Sequence, residues 1–101
     1  MFTELVQALD SVKEGKGTLL DRSLIVAFTD HGSARAHSIT EIPMFTAGFA
    51  NGRVRNGLHV SAPGDTVCRM GLTCQQAVGM PIASWGTASN ATTKPFTEVL
   101  V

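Results

Sequence analysis

A continuous run of apolar residues at positions 24–28 constrains the fold of this chain more than any other feature. The run is Leu, Ile, Val, Ala and Phe, and polar Thr29 and Asp30 follow it directly. A half-exposed strand alternates apolar and polar residues, whereas a strand covered on both faces, as in parallel sheets, is apolar at successive positions. The run therefore predicts a central β-strand that needs cover on both sides.

Two helical patterns flank this strand. The first starts after Thr3, a plausible N-cap, and ends at Gly15; the second starts at Asp65 or Thr66 and ends at Val78. Apolar residues recur in both at spacings of three and four, which is the period of an amphipathic helix. The first stripe is Phe2, Leu5, Val6, Leu9 and Val12, and the second is Val67, Met70, Cys74, Ala77 and Val78.

Weaker signals complete the predicted architecture. Residues 43–49 read as a second strand, and residues 54–60 as a short returning strand between turn signals. The Ser, Thr, Ala and Asn-rich stretch 83–94 is predicted to be irregular, and residues 96–101 to dock as a last extended piece. These patterns predict one α/β domain spanning residues 1–101, with a small sheet and flanking helices.

Composition excludes several classes of partner. Eight basic residues balance eight acidic ones, which disfavours binding to nucleic acid or to an anionic membrane surface. We expect no membrane span, and no basic export signal occurs near Met1, so the chain as it stands is expected to be cytoplasmic. Export is expected only if it belongs to a longer precursor. Cys68 and Cys74 fall on different helix faces and are predicted to be buried free thiols.

The residues that carry candidate chemistry follow the apolar run. Asp30 and His31 are adjacent, the following glycine permits a sharp turn, and His37 lies six residues further on, before the second predicted strand. Carboxylate and imidazole ligands suit zinc or manganese. A connection of this length can bring both ends of the segment to one edge of a sheet. Arg35 is a candidate for binding an anionic substrate. The alternative is that Asp30 caps a turn and that the histidines and the arginine are solvated loop residues.

This order of residues resembles a pattern in the alkaline phosphatase superfamily. In many members an apolar strand ends in Asp-His-Gly, whose Asp and His bind one metal ion. A later His, before a strand that opens with Pro, binds the second. Residues 30–32, His37 and Pro43 match that order. The resemblance implies that Asp30 and His31 share one divalent metal ion, zinc or manganese, and that His37 binds the other.

A closer likeness covers nearly the whole chain and points to the C-terminal part of a bacterial family of unknown function related to the sulfatases, whose members are longer and often exported. It implies a partial alkaline phosphatase-like sheet within a larger domain. In full-length form that domain would be a metal-dependent phosphate- or sulfate-ester hydrolase. The matching features are residues 17–21, 47–48, 56–60, 78–81 and 85–86.

Catalysis by this segment alone is not expected. The superfamily's Ser or Thr nucleophile and the early Asp ligand beside it have no counterpart here, so we assign no catalytic residue. Three ligands leave coordination positions open, and modest metal affinity follows. The alternative function is a non-catalytic structural module. In either case we expect a homo-oligomer, because one short chain cannot cover a strand that is apolar on both faces. The expected contact surfaces are that strand and the stripe of the first helix.

Overall fold

The computed structural model describes residues 1–30, 32–33, 35 and 41–101. Within these residues it contains helices α1 (Phe2–Ser11), α2 (Leu19–Arg22) and α3 (Cys68–Ala77). Strands β1 (Lys13–Glu14) and β2 (Gly17–Thr18) form one two-stranded antiparallel sheet, and β3 (Ile25–Phe28) and β4 (Met44–Ala47) form another. Short 3₁₀ turns occupy Ala50–Gly52 and Ala88–Asn90. The prediction of a mixed α/β chain is confirmed at this level.

The N-terminal part of the chain, up to Arg22, is built from α1, the β1–β2 hairpin and α2. Helix α1 confirms the first apolar stripe, although it begins at Phe2 without a side-chain cap rather than after Thr3. Gly15 adopts φ +62°, which lets the chain reverse between β1 and β2. Helix α2 begins with a capping box, in which the Thr18 backbone N–H donates to the Asp21 carboxylate at 2.7 Å.

The apolar run forms β3, but its setting differs from the prediction. β3 pairs antiparallel with β4, with Ile25 opposite Ala47 and Phe28 opposite Met44. No residue of the β3–β4 ribbon is buried, and Phe28 is 71% exposed. The expectation of a central strand covered on both faces is therefore wrong. An apolar run indicates that both faces of a strand should be buried. It specifies neither the direction of the neighbouring strand nor which part of the structure buries those faces.

The core lies instead around α3 and residues 99–100. Helix α3 confirms the second predicted helix but not its apolar stripe: it buries Leu72, Thr73 and Ala77, whereas Val67 and Val78 of the predicted stripe are exposed. Cys68 and Cys74 are free and half-buried, rather than fully buried as predicted. No helix in the described part of the chain is long and apolar enough to cross a membrane. One apolar cluster consists of Ala50, Val54 and Ala77, with Leu24, Val99 and Leu100 packed against it.

The C-terminal segment closes this core, but residues 97–99 form a turn rather than the extended piece predicted for residues 96–101. Val54 pairs with Leu100, and the Arg55 N–H donates to the Val99 carbonyl at 2.8 Å. Arg69 holds the start of this segment and the residues before it against α3. Its guanidinium donates to the Lys94 carbonyl at 2.9 Å and lies over the Phe96 ring.

The predicted returning strand over 54–60 is wrong beyond Val54. Gly57 turns the chain with φ +77°, and the Asn56 side-chain amide donates to the Gly48 carbonyl at 3.0 Å. Leu58 remains 52% exposed, so burial does not fix an extended conformation there. The stretch 83–94 is irregular as predicted, apart from its 3₁₀ turn and a bridge between Trp85 and Thr92.

Thr73 joins α3 to the C-terminal segment through a buried hydroxyl. Its Oγ1 donates to the Arg69 carbonyl at 2.7 Å and accepts from the Phe96 N–H at 2.8 Å. We expect Thr73→Val to destabilise the fold by about 1–3 kcal/mol, because the Phe96 N–H loses its acceptor where solvent is largely excluded. Urea unfolding measures the loss, and hydrogen exchange should show faster exchange of the Phe96 amide.

Thr73→Ser is the matched control. It keeps the hydroxyl and removes one methyl group, so the Phe96 amide should stay protected while stability falls by about 1 kcal/mol. A valine variant as stable as the wild type, with the Phe96 amide still protected, would contradict this role for the Thr73 hydroxyl.

Candidate functional site

The candidate site lies on the connection between β3 and β4. The pairing of Phe28 with Met44 places the end of one strand directly beside the start of the other. Residues 29–43 therefore leave and rejoin the same end of the ribbon, where the α-carbons of an opposed antiparallel pair are about 5 Å apart. The predicted meeting of Asp30 and His37 at one sheet edge stays a prediction, because His37 lies outside the described residues.

The structure describes part of the predicted ligand set. Asp30 lies two residues beyond Phe28 and is exposed, and Arg35 is also exposed on the connection. His31 and His37 lie outside the described residues. Convergence of Asp30 with the two histidines therefore stays a prediction. In the described ranges 1–30, 32–33, 35 and 41–101, no three His, Cys, Asp or Glu side chains group as metal ligands would.

Glu41 is a further acidic residue of this connection that sequence reasoning missed. It is exposed and adopts φ +55°, a left-handed conformation that is uncommon for a residue with a side chain. Such backbone costs about 1–2 kcal/mol and occurs often at binding sites. Glu41 thus adds a carboxylate near the closing end of the connection, whereas Asp30 lies near its opening end. No local motif distinguishes Glu41 in the sequence.

The remaining candidate groups lie elsewhere. His59 is exposed in the irregular segment after Val54. Burial raises the pKa of the Cys74 thiol. The thiol therefore stays protonated at neutral pH, which disfavours it as a nucleophile or a metal ligand.

Two shallow clefts occur in the described structure, and neither is lined by Asp30 or Arg35. One, of about 470 Å³, lies where Arg53 meets the end of α3 and includes Gln76, Met80 and Ile82. The other, of about 460 Å³, lies between the start of α3 and residues 89–94. Asp30 and Arg35 are exposed and lie outside both clefts.

Comparison with protein-family models, with curated proteins and with solved structures gives no match for this chain.

Proposed function

We propose that this chain is a metal-binding, hydrolase-like unit of the alkaline phosphatase and sulfatase type that supplies part of a two-metal site. The observation that carries the proposal is the register of the ribbon. Because Phe28 pairs with Met44, the segment bearing Asp30, His31 and His37 is a closed connection rather than an open tail. Closure limits the volume that these ligands can occupy and so raises their effective concentration toward one another.

The proposed roles follow from the resemblance and from ligand chemistry. Asp30 and His31 bind one divalent ion, zinc or manganese, and His37 binds a second. In two-metal hydrolases the ions lie about 4 Å apart and stabilise the attacking and leaving oxygens. Arg35 attracts the phosphate or sulfate group of a substrate through charge-assisted hydrogen bonds. The chain brings no proposed nucleophile, so it binds metal without turnover until another surface completes the site.

Metal binding by the purified chain tests this proposal. We expect weak zinc binding by calorimetry that falls at least tenfold when Asp30, His31 and His37 are all replaced by alanine. Imidazole binds metal only when neutral, so zinc affinity should decrease as the pH falls through about 6.5, the ordinary histidine value. His59→Ala is the matched control, since it removes an exposed histidine outside the connection. Unchanged binding by the triple variant, or no binding by the wild type, would refute the proposal.

A second candidate function is a non-catalytic unit that self-associates. The specific observation in its favour is the amount of surface that the fold leaves uncovered. The chain exposes 7086 Å². A compact monomer of its mass exposes about 5,500 Å². The difference, about 1,600 Å², is larger than the roughly 800 Å² that each partner buries in a stable protein interface.

A further inference from the structure

The β3–β4 ribbon is apolar on both faces and carries no charged residue. Opposed residues of an antiparallel pair share a face, so the register defines the two faces directly. Phe28 and Phe45 lie on opposite faces and are 71% and 63% exposed. One face consists of Ile25, Ala27, Phe45 and Ala47, and the other of Val26, Phe28, Met44 and Thr46.

The apolar stripe of α1 is the other surface expected to form contacts between copies, but it already packs against elements of its own chain. Helix α1 packs against α2 and β2, and Phe2, Val6 and Leu9 are half-buried there. Leu5 remains 48% exposed, well below the two ribbon phenylalanines. The structure therefore favours the ribbon over α1 as the surface that needs an external partner.

A two-stranded ribbon of this length is marginal in water unless another layer packs on it. The described fold provides no complete layer, since all eight ribbon residues remain at least partly exposed. The overall dimensions also indicate a fold that is less compact than usual for its length. The radius of gyration is 14.7 Å. A compact domain of this length has about 12.7 Å. The molecule is correspondingly flat, at 43 × 34 × 20 Å.

We propose that the β3–β4 ribbon packs face to face against the ribbon of a second copy of this chain about a two-fold axis. This inference rests on the second candidate function and names its surface. A two-fold interface places each patch against itself, so a charged patch repels its own copy. An uncharged apolar ribbon causes no such repulsion, and its burial removes apolar surface from water in both copies.

Sedimentation velocity over a concentration series tests the proposal. We expect the wild type to dimerise or form a larger assembly. Phe28→Lys tests one face and Phe45→Lys the other, and the substitution on the interface face should weaken association by about 30-fold or more. Leu58→Lys is the matched control, since Leu58 is 52% exposed outside the ribbon and its replacement should leave association unchanged. Circular dichroism establishes that each variant keeps the wild-type fold.

These outcomes answer two separate questions: whether the chain self-associates, and whether the β3–β4 ribbon is the surface through which it does so. A wild type that remains a monomer of 10.7 kDa at high concentration rejects self-association itself. A dimer that survives both ribbon substitutions, or that Leu58→Lys disrupts equally, rejects the ribbon as its surface. If either lysine variant fails to fold, hydrogen exchange of the wild type decides. Protection of the ribbon amides should rise with protein concentration, and protection independent of concentration overturns the proposal.

Discussion

Gly48→Ala is expected to destabilise the fold by more than about 3 kcal/mol, enough to unfold a domain of ordinary marginal stability. Gly48 is buried and has φ +103°, a backbone conformation that side chains strongly disfavour. A Cβ atom there would overlap the Ser23 carbonyl oxygen and lie 3.0 Å from its carbonyl carbon. Both contacts are to backbone, so no rotamer change can relieve them. The Ser23 carbonyl also accepts from the Ala50 N–H at 3.0 Å, and a shift would weaken that bond.

Gly52→Ala separates the steric clash from the cost of the backbone angle. Gly52 has φ +81°, but no atom lies within 4 Å of a Cβ built there. We expect this control to lose only about 1–2 kcal/mol, the cost of a left-handed alanine. Urea unfolding followed by circular dichroism measures both variants. Equal losses at the two positions would show that the close approach of Gly48 to α2 contributes nothing to stability.

Leu72→Ala is expected to reduce the free energy of unfolding by about 2–5 kcal/mol, the range for large-to-small changes in a core. Leu72 has 0% exposure and is, with Thr73, one of the largest fully buried side chains. The substitution removes apolar contacts and leaves a cavity beneath α3.

Leu58→Ala makes the same chemical change at a site that is 52% exposed. It should cost less than about 1 kcal/mol, because solvent already contacts much of that side chain and no cavity forms. Chemical unfolding curves give both values, and the slope with denaturant tests whether the unfolded states remain comparable. A Leu72→Ala variant within 1 kcal/mol of wild type would mean that α3 is not the centre of the core.

The sequence predicted the elements that carry a long periodic signal. The apolar stripes of α1 and α3 span about three turns each, so chance alternatives are few. The β1–β2 hairpin and α2 were missed because they are only two and four residues long, too short for a periodic pattern. Gly15 was interpreted as the end of the first helix, but α1 ends at Ser11 and Gly15 instead lies in the turn of the β1–β2 hairpin.

Strand orientation and the location of the core could not be predicted. The apolar run at 24–28 reads the same in the sequence whether it forms a parallel strand covered by helices on both faces or an antiparallel strand with exposed faces. The difference depends on the pairing of Phe28 with Met44, which is fixed by residues 16 positions apart in sequence. For the candidate site, the structure shows that the strands at the two ends of residues 29–43 lie side by side, but the predicted approach of Asp30 and His37 stays a prediction. Its histidines lie outside the described residues, and Glu41 carries no sequence signal.

The way the C-terminal segment seals the core has a consequence for biosynthesis. Val99 and Leu100 pack on Ala50, Val54 and Ala77, and Leu100 pairs with a residue 46 positions earlier. A chain synthesised only as far as residue 90 therefore leaves this cluster open to water. Local pieces such as α1 can form during translation, but cooperative closure of the cluster must wait for residues 99 and 100.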